Sequence, residues 1–236
     1  MKFKRVLLKL SGESLMGNQG YGIDPAILQQ YAEEVLLALK EGIQIAIVVG
    51  GGNIFRGMQG TAKGFDRVQG DYMGMLATIM NSLALQGTFQ QNGIGCKVLS
   101  GIDINPLCEK MSSQRAIEYL EEGKVVFIAG GTGNPYFTTD TAAALRAIEI
   151  KANVVLKGTR VDGVYDSDPE KNPGAIKYES IPLKEAFDKG LKIMDLTAFS
   201  LCIENKMPLI VFNMNKPNNL LKVVKGENIG TFVSVN

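Results

Sequence analysis

Histidine is absent from all 236 residues of the chain. This excludes imidazole acid/base catalysis, Ser-His-Asp and Cys-His nucleophiles, and His-ligated zinc. Cysteine is sparse: Cys96, Cys108 and Cys202 are far apart, odd in number and form no C-x-x-C. Neither a disulfide framework nor a zinc knuckle is indicated, and a reducing, cytoplasmic setting is expected. No charge sign dominates. With 25 Lys and Arg against 24 Asp and Glu, the formal net charge is +1, which provides no global attraction for nucleic acid or a membrane surface. The cluster Lys2, Lys4, Arg5 reads as the solvated end of a strand. No apolar run approaches the roughly 20 residues of a membrane-spanning helix, and Val6-Leu7-Leu8 is broken by Lys9 before it could form a signal-peptide core. Two common phosphate fingerprints, G-x-x-x-x-G-K-[ST] and a post-strand G-x-G-x-x-G, are also missing.

What is present is a 45% hydrophobic, 21% charged chain, able to bury a large core as one compact α/β domain. Short apolar runs alternate with helix-period segments, the pattern of βαβ units on a mostly parallel sheet. Strands are predicted at 6–10, 45–49, 97–99, 125–129, 154–156, 209–212 and 231–235. The first helix is capped by Asp24, opens on Pro25 and runs to Gly42. A second, over about 72–91, carries Met73, Leu76, Met80, Leu83 and Gly87 on one stripe, read as core-facing with the methionines as core filler. Further helices are predicted at 113–122, 140–151, 183–189, 197–205 and 218–225. The Gly/Pro/Asp-rich segment 162–178 is a long loop in an otherwise regular pattern, hence functional or mobile. A soft division falls near residue 150.

Three glycine turns directly follow apolar runs: VLLKLSGE at 6–13, IAIVVGGGN at 45–53 and VVFIAGGTGNPYFTTD at 125–140. Glycine lets the backbone bend and bring several N–H groups close to an anion, and the following helix adds its positive end. Lys9 would project from the carboxyl edge of the sheet, where open α/β folds bind ligands; alone it could equally be an outward residue of an edge strand. Gly50-Gly51-Gly52 exceeds the single glycine a cap requires. The turn from Gly130 to Asp140 offers hydroxyls, amides and the Tyr136 ring, and helix capping by Thr139 or Asp140 accounts for one of its residues. In 157–169 the carboxylates either form turns or face a magnesium-bound nucleotide. These parts suit phosphoryl transfer, which asks for positioning and positive charge. Without histidine, an acceptor that is already ionised fits best, such as a phosphate with a second pKa of about 6.

Lys9–Gly12, Gly50–Asn53 with Arg56, Asp71, Thr132–Thr139 with Asp140, Thr159–Asp168, Met194-Asp195-Leu196 and Val211–Asn215 resemble, in order, the landmarks of the amino acid kinase family and, within it, the bacterial uridylate kinases. TGNPYFTTDTAA is specific to those UMP enzymes among their relatives. The resemblance spans essentially the whole chain. It implies a three-layer αβα sandwich around a mostly parallel sheet, with lobe 1–150 for the phosphate acceptor and 151–236 for ATP. It also implies ATP and UMP giving ADP and UDP, with Mg2+ accompanying ATP and no metal ligand assigned to the protein. Lys9, Asp140 and Lys157 take the catalytic roles. Lys9, Leu10, Ser11, Gly12, Gly52, Arg56, Thr159, Tyr165 and Asp168 fall to ATP. Gly51, Asp71, Thr132, Gly133, Asn134, Pro135, Tyr136, Phe137, Thr138 and Thr139 fall to UMP. Family members are commonly homohexamers activated by GTP and inhibited by UTP; Gly17, Asn18, Gln19, Gly20, Tyr21 and Gly22 resemble the GTP-linked segment, and equally a surface turn. Three other functions compete: a small-carboxylate kinase of the same fold, a molybdenum or tungsten storage protein, and a DNA-binding regulator. Tyr136 and the hydroxyl-rich 132–139 segment favour a nucleotide acceptor.

Overall fold

A computed structural model describes residues 3–55, 64 and 66–235. Among them nine strands form a single sheet, β1 Arg5–Leu10, β2 Gln44–Val49, β3 Cys96–Ser100, β4 Glu109–Lys110, β5 Val125–Ala129, β6 Val154–Thr159, β7 Ser180–Pro182, β8 Leu209–Asn213 and β9 Thr231–Ser234, ordered β4-β3-β5-β2-β1-β6-β8-β9-β7. Pairing is parallel except between β8 and β9. β1 lies between β2 and β6, and its apolar residues are buried on both faces of the sheet.

The helices are α1 Pro25–Leu39, α2 Arg67–Gln91, α3 Ser113–Glu121, α4 Thr139–Glu149, α5 Leu183–Asp188, α6 Leu196–Glu204 and α7 Asn219–Lys225. Strand alternation sorts them into two layers. Val6, Leu8 and Leu10 of β1 pack with Tyr31 of α1, Phe89 of α2 and Leu220 of α7. Leu7 faces the other way, with Ala116 of α3, Ala143 and Ala147 of α4, Leu183 of α5 and Phe199 of α6. This is the expected three-layer αβα sandwich. Among the described residues no helix is long and apolar enough to cross a membrane.

Most expected elements appear within a residue or two of their predicted ends; β4 and β7, two and three residues long, were not foreseen. Two expectations fail. On α2, Met73, Leu76 and Met80 face outward, Met80 being 55% exposed, while Met75, Ile79, Leu85 and Phe89 face the sheet. Both stripes have helical spacing, and α2 has no charged residue between Tyr72 and Gln91 to mark which one is outside. Arg5 is not a solvated strand end. It is 9% exposed, and its guanidinium donates to Gln44 Oε1, the Ile150 carbonyl and Glu121 Oε1. Lys2 lies outside the described residues.

Candidate active site

The site is built where β1 and β6 end side by side. Their parallel register places Lys9 directly opposite Lys157, and period 2 puts both on the face of Leu7 and Val155, the α4 side. α4 begins at that edge. Its N-cap is Thr138, whose Oγ1 accepts from the Asp140 and Thr141 amides. This corrects the assignment of the cap to Thr139 or Asp140, and it leaves the Asp140 carboxylate free to point at the lysines.

Asp140 bridges the two strands. Lys9 Nζ lies 2.8 Å from Oδ1 and Lys157 Nζ 2.8 Å from Oδ2; Lys157 Nζ also donates to the Ile193 carbonyl. Burial alone would raise the Asp140 pKa, but the two ammonium groups overcome it and hold the carboxyl at about 2. Burial lowers the Lys157 pKa against the opposing pull of Asp140, with Lys9 adding to the lowering. Two lysines sharing one carboxylate leave the cluster with a net positive charge, ready for an anion.

On one side of this cluster is a cleft of about 470 Å³, lined by Lys157, Thr159, Val161, Tyr165, Asp168 and Val211 among others. Thr159, Tyr165 and Asp168 therefore come together in one cleft. The loop carrying them is braced by its own side chains: Tyr165 Oη donates to Asp162 Oδ1 at 2.6 Å, and Asp168 Oδ1 accepts from the Glu170 amide at 3.0 Å.

On the other side, Gly51, Asp71, Thr132, Phe137, Thr138 and Thr139 line a second cleft with Phe55, Met75 and Thr78. Asp71 Oδ2 accepts from the Tyr136 amide at 2.7 Å and from Arg67 Nε at 2.8 Å. The Arg67 guanidinium stands 5.4 Å from the centroid of the Tyr136 ring. Tyr136 has φ 71°, a left-handed conformation rarely adopted by an aromatic residue. Gly133, Asn134, Pro135 and Tyr136 are not among the residues lining this cleft; they form the loop that closes back to Asp71.

The first two glycine turns touch each other, and Gly51 of the second lines the second cleft. A Cβ on Gly12 would lie 2.4 Å from the Gly50 carbonyl oxygen, so nothing larger than glycine fits. Ser11 precedes the short 3-10 helix Gly12–Met16. The Leu10 side chain belongs to the core, and its carbonyl accepts from the Gly50 amide; strand alternation aims Lys9 at Asp140 and Leu10 into the opposite layer. Gly52 sits in the second turn, next to Gly51. Arg56 lies outside the described residues. Gly17, Asn18, Gln19, Gly20, Tyr21 and Gly22 form a loop with Tyr21 exposed, tied to the second turn by the Gly22 amide and the Asn53 carbonyl.

Two landmark residues, Asn53 and Asp195, have supporting roles, and Thr78 and Asn81 join them although neither was read from the sequence. Asn53 and Asn81, both buried, exchange side-chain amide hydrogen bonds at 3.0 and 2.7 Å, and Asn81 Nδ2 also donates to the Gly50 carbonyl. Thr78 Oγ1 accepts from the Gly130 amide at 2.9 Å. Asp195 caps α6 and accepts from Thr138 Oγ1 and Thr141 Oγ1, joining the start of α4 to the start of α6. The available signal was a set of polar residues, Thr78, Asn81 and Ser82, at inward-facing positions of α2, where a buried polar group needs a partner.

The amino acid kinase family model matches residues 4–213. The chain belongs to the amino acid kinase family. It is 57% identical over 232 residues to a uridylate kinase of Porphyromonas gingivalis, covering 98% of this chain and 97% of that protein. Among solved structures, a UMP kinase from Bacillus anthracis superposes with a TM-score of 0.96 at 35% identity, covering 100% of this chain and 98% of that one. A UMP kinase from Ureaplasma parvum gives 0.93 at 41% identity, covering 99% and 100%. The similarity thus spans both clefts and the lysine cluster between them.

Proposed function

We propose that this chain is an ATP-dependent UMP kinase, transferring the γ-phosphoryl group of ATP to UMP to give UDP and ADP. The observation that carries this reading is the Lys9–Asp140–Lys157 bridge between two clefts, in a chain similar over nearly its full length to uridylate kinases. A phosphate oxygen of UMP attacks the γ-phosphorus, the bond to the β-phosphate oxygen breaks, and ADP departs with that electron pair. The acceptor phosphate is largely ionised near neutral pH, so no base is needed. Lys9 and Lys157 neutralise charge on the transferring group, and Asp140 holds both ammonium groups in place.

Ser11, Gly12 and Gly52 support the ATP phosphates, with Thr159, Tyr165 and Asp168 along the adenosine. Gly51, Asp71 and the 132–139 segment hold UMP. Both Asp140 oxygens are engaged by lysines, and among the described residues no acidic, histidine or cysteine cluster suits a metal ion. Mg2+ would accompany ATP and offset negative charge on its phosphates, with no protein ligand assigned to it. The outward α2 stripe of Tyr72, Met73, Leu76 and Met80 supports assembly into a homo-oligomer, a hexamer by resemblance. GTP activation through the 17–22 loop, UTP inhibition and a cytoplasmic location complete the reading; the Gly22–Asn53 contacts give that loop a route to the phosphate turn. ADP release with MgATP and UMP, CMP, dUMP, acetylglutamate or aspartate as acceptors tests it. Turnover with UMP well above every other acceptor is expected, and turnover with a carboxylate in its place would overturn the substrate assignment.

A further inference from the structure

We propose that Arg146 is a positioning residue for the nucleotide acceptor, acting through the backbone of the third glycine turn. The inference rests on the UMP reading above. Arg146 lies on α4, six residues beyond Asp140, or about 9 Å along the helix. Side chains on a helix lean toward its N-terminus, so the guanidinium reaches back to the turn that feeds α4. There Nη2 donates to the Gly131 and Thr132 carbonyls, each at 3.1 Å, and Nη1 donates to Glu149 Oε2 at 2.7 Å. The residue is 7% exposed.

A buried guanidinium is costly to desolvate and is retained where its fork does something a neutral residue cannot. Here the turn needs such support. Gly130, Gly131 and Gly133 all have positive φ, between 60° and 87°, and glycines bring no side chains with which to fix themselves. In a planar trans peptide the carbonyl and the amide point in opposite directions. Drawing the Gly131 carbonyl toward Arg146 therefore turns the Thr132 N–H away from it, on a peptide whose two residues line the acceptor cleft. The guanidinium further polarises that peptide and strengthens its amide as a donor to an anionic or carbonyl oxygen. Nε is buried without a hydrogen-bond partner, so the hold on the turn comes through Nη2 alone. α4 thus serves the site at both ends, presenting Asp140 at its start and anchoring the acceptor turn from its last turn.

The test measures KM for UMP, KM for ATP and kcat in the full-length protein and in Arg146→Gln and Arg146→Lys. Arg146→Gln should raise the KM for UMP about tenfold to a hundredfold, with the KM for ATP held within about twofold. Arg146→Lys keeps the charge but not the fork, so it should fall between the two and remain measurable should the glutamine variant not fold. Glu149→Gln leaves the two carbonyl contacts in place and should change the KM for UMP by less than about twofold while lowering the melting temperature. An unchanged KM for UMP in folded Arg146→Lys and Arg146→Gln overturns the proposal, as does an equal rise of both KM values or a rise for UMP with Glu149→Gln. Failure of the unsubstituted protein to phosphorylate UMP would sink the kinase reading, a result distinct from any of these.

Discussion

The two clefts that meet at Lys9, Asp140 and Lys157 are built in different ways. The cleft we propose for the donor is a long loop between β6 and β7, shaped by side chains that brace one another at the surface, such as Tyr165 with Asp162. The acceptor side is backbone: glycine turns after β2 and β5, held from behind by Asn81, Thr78 and Arg146. Side chains in a loop can vary while the loop still contacts a nucleotide. A turn of glycines works only in one backbone geometry, and that geometry is imposed by buried groups that never touch the ligand. On the proposed assignment, acceptor selection depends on the interior, and donor binding more on the surface.

The most severe way to break this comparison is at the point where the turns touch. Gly12→Ala places a Cβ 2.4 Å from the Gly50 oxygen and 2.8 Å from Asn53 Oδ1, so the donor and acceptor turns must separate. A stability loss of about 1–3 kcal/mol is expected, with both KM values raised together, as measured by thermal melting and initial rates. A change in one KM alone would show that the turns are independent. A smaller, one-sided effect is expected from Asp71→Asn, which weakens the hold on the Tyr136 amide and on Arg67. The KM for UMP should rise about tenfold and that for ATP stay within about twofold.

The subtlest effect lies in the pH profile. In the proposed mechanism Lys157 acts in its protonated form, and burial lowers its pKa despite Asp140. Activity is therefore present below that pKa and lost as pH rises through it. The alkaline limb of kcat/KM for ATP should fall below the ordinary lysine value of about 10.4. Lys157→Arg should move the limb upward, and an unmoved limb would assign it to another group. Asp140, at about 2, adds no acid limb near neutrality.

Much of this was legible in the sequence, and the reasons are local. Apolar runs, caps and glycine turns specify strands, helices and their ends, and Lys9 and Lys157 could be named because each stands at the end of such a run. That they share one carboxylate depends on strand register, which periodicity within either strand does not state. The inward face of α2 was misread because Met73, Leu76 and Met80 repeat with the same spacing as Met75, Ile79 and Leu85, and no charge separates them. Nothing in the sequence marks Arg146, since an arginine near a helix C-terminus is ordinarily accounted for as a partner for the helix dipole. Only the fold brings the turn at Gly131 within its reach.

The central claim is that Lys9 and Lys157 act on the transferring phosphoryl group while the clefts hold the two nucleotides. Single-turnover formation of UDP by Lys9→Ala, measured beside equilibrium binding of MgATP and UMP, tests it most directly. The account predicts UDP formation slowed about a thousandfold or more, with UMP binding within a few-fold of the unsubstituted protein. UDP formation at a near-normal rate, or a loss explained entirely by failure to bind UMP, would contradict it.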